Sequence, residues 1–331
     1  MFSYEEKKSI SLITILYFFR MLGAFMVFPV LSVFADSYFF STPFLIGVTL
    51  GIYGLTNALM QIPFGVLSDK YGRKKIILIG LLIFFIGSLI CSVTNNIYYL
   101  LLGRALQGAG AISGVLMALL SDKTSVKNRT LSMAIVGVAI GAAFFSAFII
   151  GPIVSKYFNL SGLFILISLL TMISVAVMLI FENDTMIPNK QFKFDLTELI
   201  LDKKINPYFF DILILHTILT SIFVAIPVMM IDVYTMVVDD FPQFYSSIFI
   251  LSLVITLPLL GFERKRPFVV RSASIIILSF SLVILYLFFS DNLLISIAAL
   301  ICYIGSFSVL EASIPSALSK NTNLDLSLIH I

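Results

Sequence analysis

The chain has 331 residues, 60% of them hydrophobic and 12% charged, with a net charge of +3 and a mean hydropathy of +1.08. Soluble domains carry roughly 25% charged residues, and a water-soluble core cannot hide this much apolar surface, so the solvent of the fold is lipid. So small a net charge says little by itself; no nucleic-acid partner is expected. Two histidines and two cysteines leave too few ligands or nucleophiles for a metal cluster, a disulfide framework or an intramembrane enzyme; no metal and no cofactor is expected.

A bilayer-spanning helix needs about 20 mostly apolar residues. Ten runs qualify, at 9–34, 44–66, 75–93, 97–120, 131–154, 160–181, 208–231, 243–261, 268–290 and 292–318. They are continuous rather than alternating, so the chain is read as an all-α membrane protein and not a barrel. The first run follows Lys7 and Lys8 and is too long for a signal-peptide core, so it is read as a retained helix. It holds Arg20 about ten residues in, roughly 15 Å deep at about 1.5 Å per residue. A charge at that depth costs about 2.5–3.5 kcal/mol on insertion scales. Arg20 is therefore expected to face a water-filled cavity, the competing reading being a pairing with a backbone carbonyl.

The second run carries Asn57 and Gln61 and ends in the segment "GVLSDKYGRKK" (65–75), read as a turn. Asp69 and Arg73 are four apart and share a face if that turn is helical. Asp69 is also expected to cap the start of the third helix. Asp122, closing the fourth run, is placed to reach Arg73. Arg104 and Gln107 are three apart in the fourth run; Arg104 is shallower than Arg20, so partial snorkelling competes with a functional role. The pairs Gly47/Gly51, Gly110/Gly114 and Gly137/Gly141 have the small-residue spacing that lets helices pack closely. Cys91 and Cys302 sit inside apolar runs and are read as buried thiols. His216 is the intramembrane histidine, and Glu311 is the one acid well inside a membrane run. Either could carry a coupling proton, Glu311 first; interhelical hydrogen bonding is the alternative for each.

The bases set the topology. With a cytoplasmic N-terminus, 18 of the 21 Lys and Arg fall in inside segments and only Lys156 outside, with Arg20 and Arg104 left within helices. A multi-pass protein of the cell (plasma or inner) membrane is expected. Residues 182–207 form the longest non-spanning segment, read as a cytoplasmic linker with a surface-lying amphipathic helix. The expected organisation is a six-helix N-terminal bundle (1–181), the linker (182–207), an incomplete four-helix C-terminal bundle (208–320) and a tail (321–331). "GFERKRP" (261–267) faintly repeats the 65–75 segment at the matching place of the second half. By that symmetry two further helices are expected, and the chain reads as truncated after the tenth.

Gly65, Asp69, Gly72 and Arg73, in the pattern G-x-L-x-D-K-x-G-R-K, resemble the loop signature of the major facilitator superfamily, and fall between the second and third helices as that signature does. "GRALQGAGAISG" (103–114) resembles the family's second motif. "GVAIGAAFFSAFIIGP" (137–152), with Gly137, Gly141, Gly151 and Pro152, is similar to its antiporter motif, although Ile153 and Val154 follow where exporters often have a further glycine. "FFRMLGAFMVFPVL", "GIYGLTNALMQIPFGVLSD" and "LEASIPSALSK" resemble its YajR-like branch of proton-driven exporters. The resemblance implies alternating access, a charge cluster of Asp69, Arg73 and Asp122 that forms in one state and breaks in the other, and proton-coupled export of a small amphipathic solute or drug by a monomer. The cavity is then expected between the halves, lined by Arg20, Asn57, Gln61, Arg104, Gln107, His216 and Glu311. The alternative reading is a non-transporting membrane sensor or scaffold, or an inactive truncated fragment.

Overall fold

The computed structural model describes residues 2–181, 206–263, 265–289 and 292–321. The linker expected at 182–207, with its amphipathic helix, lies outside the described residues apart from its last two positions, and so does the tail beyond Asn321. Among the described residues the secondary structure is helical, with one isolated bridge between Phe39 and Asn96.

Helix α1 (Tyr4–Phe25) starts at a capping box: Ser3 accepts from the Glu6 N–H, and the Glu6 carboxylate accepts from the Ser3 N–H. The run expected to continue to residue 34 breaks after Phe25. Pro29 has no N–H to give the helix ladder. The chain turns through short-range bonds from Phe28 N to Phe25 O and from Val30 N to Val27 O, then resumes as the single turn α2 (Leu31–Phe34).

Helix α3 (Pro43–Tyr71) begins on Thr42, whose hydroxyl accepts from Leu45 N, with Pro43 in the first turn. Twenty-nine residues give a rod longer than a bilayer core is thick, about 44 Å at 1.5 Å per residue against about 30 Å. Ser68 to Tyr71 form its last turn. The expected eleven-residue turn is almost entirely helical. Helix α4 (Arg73–Val93) starts immediately, and Gly72 alone makes the corner at φ 99°, ψ 143°, a conformation that a side chain resists.

The fourth predicted helix is two pieces, α5 (Ile97–Ala109) and α6 (Ser113–Asp122), separated by Gly110–Ile112. Two side chains of α1 serve carbonyls at this break: Tyr17 donates to Ser113 O, and Arg20 donates to Gln107 O and Gly110 O. Helix α7 (Val126–Phe181) has 56 residues, far too many for one crossing. Asn159, at φ 56°, ψ −168°, breaks it where the sequence suggests a longer loop, and so provides the fifth and sixth crossings.

Helices α8 (Asn206–Tyr234), α9 (Phe241–Glu263), α10 (Pro267–Phe288) and α11 (Leu293–Asn321) complete the described chain. Nine helical segments among the described residues are long and apolar enough to cross a membrane, one of them being the double-length α7. Large apolar side chains such as Val93, Ile180, Phe268 and Tyr286 are more exposed than a water-soluble protein tolerates, which suits a lipid-facing surface.

The helices pack as two compact units. The first spans α1–α7 and takes in Thr220–Val228 of α8; the second holds the rest of α8 with α9–α11. In the first, α1 packs on α7, and α5 is gripped by α3 and α4. The α4–α5 crossing is backbone-close: a Cβ on Gly87 would stand 2.6 Å from Gly103 O and 2.7 Å from Gln107 N. Phe223 packs on Phe148, Phe28 and Phe144 at ring-centroid distances of 4.6, 5.8 and 6.1 Å. In the second unit α11 packs on α9 and α10, and the Thr256 hydroxyl donates to Gly305 O at 3.2 Å.

The glycine pairs divide. Gly110 and Gly114 face close neighbours, whereas Gly47, Gly51, Gly137 and Gly141 have no atom within 4 Å of where a Cβ would stand, so those two pairs make no close helix contact among the described residues. Gly65 is equally open, with no atom within 4 Å of where a Cβ would stand, whereas Gly72 is needed for its backbone angle.

Candidate functional site

The adjoining ends of α3, α4 and α6 bring the predicted charge cluster together. Arg73, the first residue of α4, places Nη1 2.5 Å from Asp69 Oδ1 and Nε 3.1 Å from Asp122 Oδ2. Nη1 also donates to Ser68 Oγ, whose own hydroxyl donates to Gly65 O. Asp69 does not cap α4, which has no side-chain cap; it stands in the last turn of α3 and reaches Arg73 across Gly72. The arginine is 13% exposed, but Asp69 and Asp122 are 51% and 32% exposed. Pairs this wet contribute about 0–1 kcal/mol each, weak enough to break and re-form.

A second polar tie at the same ends was not evident from the sequence. Besides capping α1, Glu6 accepts from Ser125 N at 2.8 Å and from Asn128 Nδ2 at 3.0 Å, joining the start of α1 to the start of α7. The local signal was present as Ser3-x-x-Glu6, the capping-box spacing; its long-range half depends on how the helices pack.

Deeper in the first unit, Arg20, Arg104 and Gln107 come together around Tyr53. Arg20 is 3% exposed and does not face a water-filled cavity in this structure. It donates to Tyr53 Oη at 3.0 Å, to Gln107 O at 3.3 Å and to Gly110 O at 3.2 Å, and lies 3.8 Å from the Phe84 ring centroid. The two carbonyls belong to the end of α5, where the helix dipole is negative. Arg104 is fully buried, so it does not snorkel. Its Nη1 donates to Gln107 Oε1 at 2.7 Å, and Tyr53 covers its guanidinium at 4.5 Å. Gln107 is held in turn: its Nε2 donates to Ser88 Oγ, which donates to Phe84 O, both at 2.7 Å. Arg104 Nε and Nη2 have no hydrogen-bond acceptor among the described residues.

Asn57 donates to Gly108 O at 3.4 Å, beside the same cluster, while the half-buried Gln61 packs near Gly114. Gly151 sits against the Met26 carbonyl, where a Cβ would come within 2.5 Å, and Pro152 follows it inside α7.

In the second unit His216 (α8) and Glu311 (α11) meet, with Nε2 3.5 Å from Oε2 and side chains 47% and 48% exposed. His216 Nδ1 lies 3.0 Å from Ile212 O, and Phe307, one turn before Glu311, presents its ring to the imidazole. A backbone carbonyl only accepts, so in the tautomer that carries its proton on Nδ1 the ring donates to Ile212 O, and Nε2 then meets the carboxylate through a further proton on the imidazole or on the acid.

The model of the Major Facilitator Superfamily matches residues 13–325. The inner membrane transport protein YajR of Escherichia coli (strain K12) is 41% identical over 218 residues, which is 64% of this chain and 48% of that protein, so the match spans about half of YajR. An uncharacterized transporter of Buchnera aphidicola subsp. Acyrthosiphon pisum (strain APS) is 34% identical over 318 residues, 92% of this chain and 80% of that one. Among solved structures, a bacterial homolog of the human lysosomal transporter Spinster, inward-facing and occupied, superposes with a TM-score of 0.76 over 100% of this chain and 79% of that one, at 13% identity. The human organic anion transporter MFSD10 gives 0.71 over 99% of this chain and 89% of that one, at 12% identity. At such identities the likeness is one of fold.

Proposed function

The chain belongs to the Major Facilitator Superfamily, and from that premise we propose that it is a secondary transporter, exporting a small amphipathic solute in exchange for protons by alternating access. The observation that carries the proton coupling is the His216–Glu311 pair. With Nδ1–H directed at Ile212 O the contact would hold one shared proton, and its half-exposed setting would let that proton exchange, which supports the reading. Loss of the proton leaves two acceptors opposed, so the contact holds only when loaded. That is the property a coupling site needs: its protonation state biases a conformational equilibrium.

The Arg73 cluster is the latch of this mechanism. It joins the ends of α3, α4 and α6 through weak, solvent-accessible pairs, which suits a contact made in one state and released in the other. The distribution of bases supports a cytoplasmic N-terminus, and with it a latch on the inner face. Export is supported by the Gly137–Pro152 segment, and an apolar solute by the abundance of phenylalanine.

The test is proton flux in proteoliposomes loaded with a pH-sensitive dye. Addition of lipophilic solutes to the wild-type chain should drive proton movement, and Glu311→Gln should abolish it while the protein still inserts and purifies as a monomer. Solute-driven flux unchanged in Glu311→Gln would remove this pair from the mechanism; no flux with any solute from folded wild-type protein would remove proton exchange.

A further inference from the structure

Two guanidiniums are buried in the first unit, and the structure answers the charge of only one. Arg20 has the carbonyls at the end of α5, the Tyr53 hydroxyl and the Phe84 ring. Arg104 has one neutral acceptor, Gln107 Oε1, on Nη1. The described acids of this unit, Glu5, Glu6, Asp36, Asp69 and Asp122, all stand at helix ends, and none pairs with either arginine. Buried donors are nearly always hydrogen-bonded, so two orphans on one charged group ask for an explanation.

Their positions supply one. Nε and Nη2 share one edge of the guanidinium, the edge that meets both oxygens of a carboxylate in two parallel hydrogen bonds. The Tyr53 ring covers the guanidinium's face and so gives nothing to N–H groups that point outward in its plane. The group is also held in place. Nη1 is fixed on Gln107, Gln107 on Ser88, and Ser88 on the α4 backbone, so the orphan edge is a preorganised fork rather than a mobile side chain.

We propose that Arg104 seats a carboxylate of the transported solute, with its Nε–H and Nη2–H edge gripping the two oxygens and Arg20 adding a second positive charge nearby. This names the substrate class within the transport reading and rests on it: the solute is an amphipathic carboxylate, apolar at one end. A neutral carboxamide of the same shape offers one oxygen and an opposed N–H donor pair, and a halide offers no second oxygen. Both should bind poorly.

The experiment is equilibrium binding of radiolabelled acetate, hexanoate and benzoate to the purified full chain in detergent. At least one should be retained, with hexanoate or benzoate above acetate. Excess unlabelled carboxylate should displace it; benzamide and chloride should not. Arg104→Lys keeps a positive charge but loses the fork, and should weaken binding about tenfold or more, the worth of a charge-assisted hydrogen bond. Arg104→Gln should abolish it; if that variant elutes as aggregate, the folded Arg104→Lys protein decides alone. Absence of binding for all three carboxylates, equal displacement by benzamide or chloride, or wild-type binding in Arg104→Lys overturns the proposal. Proton flux driven by tetraphenylphosphonium and unchanged in Arg104→Lys would keep the transport reading and discard this one. Carboxylate binding intact at Arg104 without flux would do the reverse.

Discussion

The two units handle buried polarity in opposite ways. In the first, Arg20, Arg104, Gln107 and Ser88 form a directional network at 3% exposure or less, built where α4 and α5 touch through glycines. In the second, the pair His216–Glu311 is half exposed, with the Ile212 carbonyl and the Phe307 ring beside the imidazole. A closed network resists change, because each group it releases is left unsatisfied in a low dielectric. A half-exposed pair can gain or lose a proton at little structural cost. The first unit is thus suited to fixing geometry and the second to changing charge.

That contrast can be broken by substitution, and the expected losses of stability descend in order. Gln107→Leu strands Arg104 Nη1 and disturbs Ser88 while leaving bulk in place, and should cost about 2–4 kcal/mol; thermal unfolding in detergent measures it, and a cost under about 1 kcal/mol would mean the network is not cooperative. Gly72→Ala forces a side chain into a backbone region that only glycine holds easily, at about 1–3 kcal/mol, read in the same assay. Asp69→Asn removes one half-exposed partner of Arg73 and should cost under about 1 kcal/mol. It should nevertheless change how readily cysteines placed on either membrane face are labelled; unchanged labelling would reduce the latch to an anchor. His216→Phe should alter stability least, by about 0–1 kcal/mol given its exposure, yet cut solute-driven proton flux at least about tenfold, the consequence of losing the group that shares the proton. If it unfolded the protein instead, the second unit would be as closed as the first.

Much of this was legible in the sequence. Hydropathy located the candidate crossings found among the described residues, because a bilayer imposes one length on every helix. The meeting of Arg73 with Asp122 followed from bases and acids collected at one set of helix ends, and His216 and Glu311 stood out as the ionisable residues placed deep in the second half. What hydropathy missed were single-residue events. Gly72 and Asn159 each change direction in one step, and a window average cannot register one backbone angle. The break at Gly110–Ile112 was hidden because its freed carbonyls are satisfied by Tyr17 and Arg20, 96 and 90 residues away in the chain. Arg20 follows the competing reading, a pairing with backbone carbonyls, rather than the water-filled cavity; the helix end and the Tyr53 hydroxyl that receive it arise only when α1, α3 and α5 cross.

Glu6 has a consequence for how the protein is made. Its carboxylate finds its partner at Ser125 119 residues later, a span that a ribosome takes roughly 6–24 s to synthesise at about 5–20 residues per second. For that interval the acid has only Ser3, three residues away, while α1 through α6 enter the bilayer behind it. The beginning of the chain is therefore fastened only after its first four crossings have been delivered, so protection of the Ser125 amide in a nascent chain would mark the moment at which the bundle closes on its own first turn.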